Sequence, residues 1–171
     1  MHRTTLSEVP EYINGIKQGL VAKISGTVWL KETEKEEVLR HLDTLPEEDK
    51  LCHLDFHPEN VLMGEKPYII DWTTCGVGSP LADVARTIIM MKYGSSPSEM
   101  PKWVSMLSGY AGNKIQQAYV KEYMRLSGSS IRDIDRWIVP MASARLVEGI
   151  PDTEKEVLVA LIRKILKQHV A

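Results

Sequence analysis

Apolar residues recur along this chain with two different periods. Tyr12, Ile13, Ile16 and Leu20 stand at helical spacing behind Pro10, a residue suited to a first turn, and Gly26 punctuates the segment. Val28-Trp29-Leu30 is a short apolar link to KETEKEEVLRHLDTLP. There Val38, Leu39 and Leu42 share a face, the first turn is acidic as the helix dipole favours, and Pro46 is a stop. The charge run Lys31–Glu37 reads as that helix's solvated face, and His41 as structural. After the polar turn EEDK the period shortens. Leu51-Cys52 is a brief apolar run, and Val61-Leu62-Met63 and Tyr68-Ile69-Ile70 are β-prone runs joined through Gly64-Glu65-Lys66-Pro67, which predicts a hairpin. Thr73 to Pro80, with Gly76 and Gly78, reads as a loop.

The helical period then returns. Leu81, Val84, Ala85, Ile88 and Ile89 mark a buried helix face ended by Gly94, and SSPSEMP at 95–101 reads as a flexible link. From Trp103 to Leu126 the pattern is helical but interrupted at Gly109 and Gly112, with Ile115, Ala118, Tyr119 and Tyr123 on one face and Gly128 as the close. Ser130 with Asp133 resembles an N-cap for a helix through Ile134, Trp137, Ile138 and Leu146, which Pro140 should kink or split and Gly149 should end. Thr153 and Glu156 fit a capping box for a last helix carrying Val157, Leu158, Leu161, Ile162 and Ile165. Trp103, Trp137 and the helical tyrosines are expected in the core. The expectation is one α+β domain over residues 1–171, mostly helical, with a small β-hairpin region and too few strands for a doubly wound sheet.

Composition narrows the function classes. With 171 residues, 43% hydrophobic and 26% charged, the chain can bury a single sizeable core. A net charge of −2 gives no electrostatic case for nucleic acid or an anionic membrane. Cys52 and Cys75 are too few for a disulfide framework and read as reduced thiols. No apolar run is long enough to span a membrane and the N-terminus is too polar for a signal peptide, so a cytoplasmic location is expected.

The candidate chemistry lies in LCHLDFHPENVLMGEKPYIIDW, from Leu51 to Trp72. Phosphoryl transfer needs a carboxylate to orient or deprotonate the attacking hydroxyl. It also needs oxygen ligands to hold Mg²⁺, a hard cation, against the nucleotide's phosphates. His53-Leu54-Asp55-Phe56-His57-Pro58-Glu59-Asn60 fits the H-x-D-x-x-x-x-N catalytic-loop spacing, and Asp71 ends the next β-type run, where a second metal ligand belongs.

HLDFHPENVL, followed by YIIDW and then GSPLADVA, resembles the aminoglycoside phosphotransferase and choline kinase family of small-molecule kinases, which have a protein-kinase-like fold. The resemblance implies an ATP- and Mg²⁺-dependent transfer of phosphate to a hydroxyl of a small molecule. It implies Asp55 as catalytic base, Asn60 and Asp71 as Mg²⁺ ligands, and His53 as an anchor of the loop. His57 would shape the loop and touch substrate or phosphate, and Asp83 would brace the loop from its helix. The helical remainder is similar to the family's substrate-binding helices. Two departures stand out. Leu54 occupies a position where the family usually has glycine, and no glycine-rich phosphate loop, strand lysine or partnering helix glutamate precedes the loop. The resemblance is therefore to a C-terminal lobe, with the N-terminal nucleotide-binding lobe absent, so nucleotide binding by these residues alone should be weak.

Two other readings fit parts of the same stretch. His53, Asp55 and His57 could form an H-x-D-x-H ligand set of a zinc- or manganese-dependent hydrolase, though this leaves Asn60, Asp71 and GSPLAD unexplained. A non-catalytic binding module would use apolar surface around residues 1–30 and the hairpin for dimerisation or for a missing N-lobe partner. Glu99, Glu122, Asp133, Asp135 and Glu148 would suit a cationic acceptor or be ordinary surface charges.

Overall fold

A computed structural model of the protein describes residues 13–94 and 102–170, with the side chains of 102–110 and 169–170 outside the description. The chain runs α1 (Ile16–Gly26), α2 (Glu32–Asp43), β1 (Lys50–Cys52), β2 (Val61–Met63), β3 (Pro67–Ile69), β4 (Gly76–Gly78) and α3 (Pro80–Tyr93). It continues through α4 (Lys102–Ser127), α5 (Ile131–Asp135), α6 (Ile138–Arg145) and α7 (Asp152–Val170). The architecture is α+β and mostly helical, with two small antiparallel sheets, β1–β4 and β2–β3. No helix among the described residues is long and apolar enough to cross a membrane.

The core forms around α3 and α6, which pack on each other and are buried from Ala82 to Ile89 and from Ile138 to Ala144. Helices α1 and α7 cover α6, and α4 covers α3. Ile24, Ile89, Ile134, Leu158 and Ile162 are fully buried, each contributing about 1.5–3 kcal/mol by leaving water. Trp137 joins them in the core. Helix α2 is tied to α7 by Glu34, which caps its own helix by accepting the Lys31 N–H at 2.8 Å and takes the Arg163 guanidinium at 2.7 and 3.2 Å. Along the predicted charge run only part is solvated: Lys35 is buried, its ammonium on the Ser25 carbonyl and Glu32.

Several elements differ from the sequence expectation. The first helix begins at Ile16, and residues 1–12, including Pro10, lie outside the described residues, as does the 95–101 link. The Gly76–Gly78 stretch is a buried strand where a loop was expected, pairing Cys52 with Gly76 and Lys50 with Gly78. Its glycines are there for space. A Cβ on Gly78 would lie 2.9 Å from Ile16 Cβ, and one on Gly76 would lie 3.1 Å from Ile16 Cγ1. Helix α4 is one continuous helix across Gly109 and Gly112, and Gly128 closes it with φ 75°. The capping box of Ser130 and Asp133 forms as expected, and the helix it opens breaks before Trp137. Pro140 then sits in the first turn of α6, where its missing N–H leaves no helical bond unmade. Helix α7 starts one residue before Thr153, its first turn bonding back to the Pro151 carbonyl, so Thr153 is not its cap.

Candidate active site

Strand β1 ends at Cys52, and from His53 to Phe56 neither ladder nor helix pairs the backbone. Buried backbone groups must nevertheless find partners, and here side chains supply them. Asp83, buried in the first turn of α3, accepts the His53 N–H on Oδ2 and the Leu54 N–H on Oδ1, both at 2.8 Å. Thr74 Oγ1 donates to the His53 carbonyl at 3.0 Å. Arg86 Nε donates to the Leu54 carbonyl. The Asp55 N–H donates to His53 Nδ1 at 3.2 Å, and Asn60 Nδ2 donates to the Asp55 carbonyl at 2.9 Å. Thr87 Oγ1 donates to the Phe56 carbonyl at 3.0 Å.

His53 is buried and bridges the loop to the hairpin. Because its Nδ1 accepts a backbone N–H, its proton is on Nε2, which donates to the Ile70 carbonyl at 2.8 Å. The Trp72 ring meets the imidazole edge-on, with centroids 4.7 Å apart. Both ring nitrogens are thereby engaged, which removes His53 from any metal-ligand set. Among the described residues no group of three or more His, Cys, Asp or Glu could hold a metal ion. The H-x-D-x-H ligand set considered from sequence is therefore corrected.

Asp55, half-buried, projects from this braced backbone. Its Oδ2 lies 3.3 Å from Asn60 Nδ2 and 3.6 Å from His57 Nε2. His57 Nδ1 also approaches Glu59 at 3.9 Å, so the ring sits between two carboxylates. Asn60 is buried at the end of a single 3-10 turn, Pro58–Asn60. Both partners of its amide nitrogen are acceptors, so the side-chain oxygen is the end left for a cation. The Ile70 N–H bonds the Asn60 carbonyl at 3.0 Å, which ties Asn60 to the chain that carries Asp71.

Asp71 is exposed and adopts the left-handed backbone conformation, φ 57°. The Thr73 hydroxyl, donating to Asp71 Oδ1 at 2.6 Å, is the main reason its carboxyl is held below the usual carboxylate range; the Thr73 N–H and the nearby His53 and His57 act in the same direction. Among the described residues Leu54 is the other positive-φ residue that is not glycine, at 61°. This is the position where the family pattern has glycine, and a side chain there costs about 1–2 kcal/mol of backbone energy.

Sequence reasoning missed Arg86, Thr87 and the role of Glu148. Asp83, Arg86 and Thr87 occupy one face of α3 at helical spacing, a polar stripe on an otherwise apolar buried helix, and that stripe was legible in LADVART. Glu148 is not an ordinary surface charge. Its oxygens take the Arg86 guanidinium at 2.8 and 3.2 Å, Arg145 adds a bond at 3.0 Å, and Lys23 approaches at 3.5 Å. Arg145 in turn holds the buried Glu154 at 2.8 Å. Burial alone would raise the Glu148 pKa, but the Arg86 hydrogen bond and the charges of Arg86, Lys23 and Arg145 outweigh it and hold the carboxyl below its ordinary value.

The other acidic residues considered for an acceptor are dispersed. Glu122 pairs with Arg125, Asp133 caps α5, and Glu99 lies outside the described residues. Phe56, between Asp55 and His57, meets Tyr119 in a tilted ring contact with centroids 5.4 Å apart and lines a cavity of about 660 Å³ with Ile69, Leu81, Tyr119 and Tyr123. Burial raises the Tyr123 phenol to about 12 and pushes Tyr119 and the Cys52 thiol up as well, so all three stay protonated at neutral pH. Cys52 and Cys75 are both free thiols.

Residues 2–118 match the family model described as the phosphotransferase enzyme family. Comparison with curated proteins and with solved structures gave no match.

Proposed function

The chain belongs to the phosphotransferase enzyme family, and from that premise we propose that it transfers the γ-phosphoryl group of ATP, bound with Mg²⁺, to a hydroxyl of a small molecule. Residues 1–171 would form a single domain corresponding to the catalytic-loop lobe of a protein-kinase-like fold. The observation that carries this reading is the clasp between Asp55 and Asn60, joined by a backbone bond to the strand end that presents Asp71.

The donor set suits Mg²⁺. Asp71 offers an exposed carboxylate kept ionised by Thr73, Asn60 offers an amide oxygen, and the one buried imidazole nearby has no lone pair left. When bound, Mg²⁺ would neutralise charge on the phosphate oxygens as it develops. Asp55 accepts the proton of the attacking hydroxyl on its carboxylate. The hydroxyl oxygen then bonds to the γ-phosphorus as the bond to the departing diphosphate breaks. Asn60 keeps Asp55 oriented through its amide nitrogen, and His57, 3.6 Å away, faces the same carboxylate from the loop.

Calorimetric titration of the chain with Mg²⁺ and ATP, followed by phosphate-transfer assays on a panel of hydroxyl acceptors, tests the proposal. Asp71→Ala should remove the Mg²⁺-dependent part of nucleotide binding. Asp55→Asn should lower kcat about 10²–10⁴-fold with the fold intact. Turnover surviving both substitutions sinks it. The exposed apolar hairpin, with Leu62, Met63 and Tyr68 in solvent, favours a second reading, a binding module that meets a partner chain through this face. Nucleotide binding without transfer to any acceptor would select it.

A further inference from the structure

Asp55 is flanked by two carbonyls, those of Leu54 and Phe56, and neighbouring residues of α3 hold both: Arg86 Nε the first and Thr87 Oγ1 the second. The carbonyl of Asp55 itself goes to Asn60. Asp83 takes the N–H groups just upstream. The loop is thus gripped from one face of one buried helix, and Arg86 is the member whose own position depends on something distant. Its remaining nitrogens form a two-point pair with Glu148, which follows α6, and Arg145 and Glu154 extend the chain of charges to α7. Arg86 is buried, so without Glu148 it would lose its two-point partner and its fork would be unaimed.

We propose that Arg86 is a positioning residue for Asp55, aimed by Glu148, so that the junction between α6 and α7 helps set the orientation of the catalytic carboxylate. This rests on the reading of Asp55 and its neighbours given above. Leu54 gives the clamp something to do. A left-handed leucine is an unfavoured conformation, and the peptides on either side of it stay in place because Asp83 and Arg86 hold its N–H and its carbonyl.

A buried salt bridge has a bland explanation, that it only supports the fold, and the test separates the two. In the double variant Arg86→Met/Glu148→Gln both charges go together, so no buried ion of this pair is left unpaired. The amide oxygen that replaces the Glu148 carboxylate can still accept from Arg145. Losing the Leu54 carbonyl's donor and weakening the Arg145 bond should lower the unfolding temperature modestly, while the variant still folds cooperatively. We expect kcat, where turnover is measured, to fall about 10–100-fold, the effect of losing a supporting group. Asn60 donates to the Asp55 carbonyl, so a displaced Asp55 backbone should also weaken Mg²⁺ affinity titrated on the chain without nucleotide.

The ¹⁵N spectrum of the His53 imidazole should move from a fixed Nε2–H pattern toward averaging, a readout that needs no turnover. Arg86→Lys, which keeps a charge for Glu148 but lacks the planar fork that reaches both partners from separate nitrogens, should fall between. A folded double variant with an unchanged His53 spectrum and unchanged Mg²⁺ affinity overturns the proposal. If wild type transfers no phosphate, the functional reading fails instead, and the His53 spectrum still decides the clamp.

Discussion

Two consecutive stretches of this chain are built on opposite plans. From His53 to Asn60 the backbone has almost no regular structure, yet the carbonyls of His53 to Phe56 are each taken by a side chain, from Thr74, from α3 or from the loop itself, and Asp83 takes two N–H groups. From Val61 to Ile69 the backbone makes an ordinary antiparallel ladder, Val61 with Ile69 and Leu62 with Tyr68, while most of its side chains face water. Leu62 is 53% exposed, Tyr68 60% and Met63 81%. The first stretch is held for position and the second is held for reach: the hairpin returns the chain so that Ile70 can bond both His53 and Asn60 and Asp71 can follow. Irregular backbone can be the more rigid of two neighbours when each polar group has a dedicated partner.

The contrast can be broken most severely at Asp83. Asp83→Ala would strand the His53 and Leu54 N–H groups in a buried site, and we expect a loss of about 3–5 kcal/mol in urea unfolding, since each bond is made to a charged acceptor. A loss under about 1 kcal/mol would mean the loop is not braced as described.

A middle effect is expected from Glu148→Gln, about 1–2 kcal/mol at neutral pH from weakened charge-assisted bonds. Its pH dependence has a definite sign. The folded carboxyl is depressed below its ordinary value of 4.5, so the pair's stabilisation is fully present above pH 4.5 and is lost as pH falls through the folded value. The stability gap between wild type and variant should therefore be flat above 4.5 and shrink below it. A gap that widens in acid would contradict the assignment.

The smallest effect belongs to the hairpin. Met63→Lys changes a side chain that touches little, and thermal unfolding should shift by no more than about 0.5 kcal/mol equivalent. A larger loss would place this face against something the loop depends on. If the hairpin instead meets a partner chain, the same substitution should weaken that association while leaving the fold alone.

Much of this is legible in the chain alone. The period of Val38 and Leu42, the Ser130–Asp133 cap, Gly94 and Gly128 at helix ends, and the hairpin around Gly64–Lys66 are local signals, and the structure bears them out because caps and periodicity act within one turn. The order His53, Asp55, Asn60, Asp71, Asp83 is equally plain, and the structure brings these residues into one hydrogen-bonded neighbourhood around the loop and the end of β3. Strand β4 is not legible. Gly-Val-Gly has the composition of a turn, and only the approach of Ile16 and pairing with a strand 26 residues earlier make it a strand.

The sequence by itself determined which stretches are mainly helical, which family the loop resembles and which carboxylates it offers. Those properties depend on residue type and short spacing. The tertiary structure decided the left-handed turn at Leu54, the protonated nitrogen of His53 and the partnership of Arg86 with Glu148, 62 residues apart. A side chain's reach to a distant carbonyl depends on how helices pack, and packing leaves no local mark in the chain.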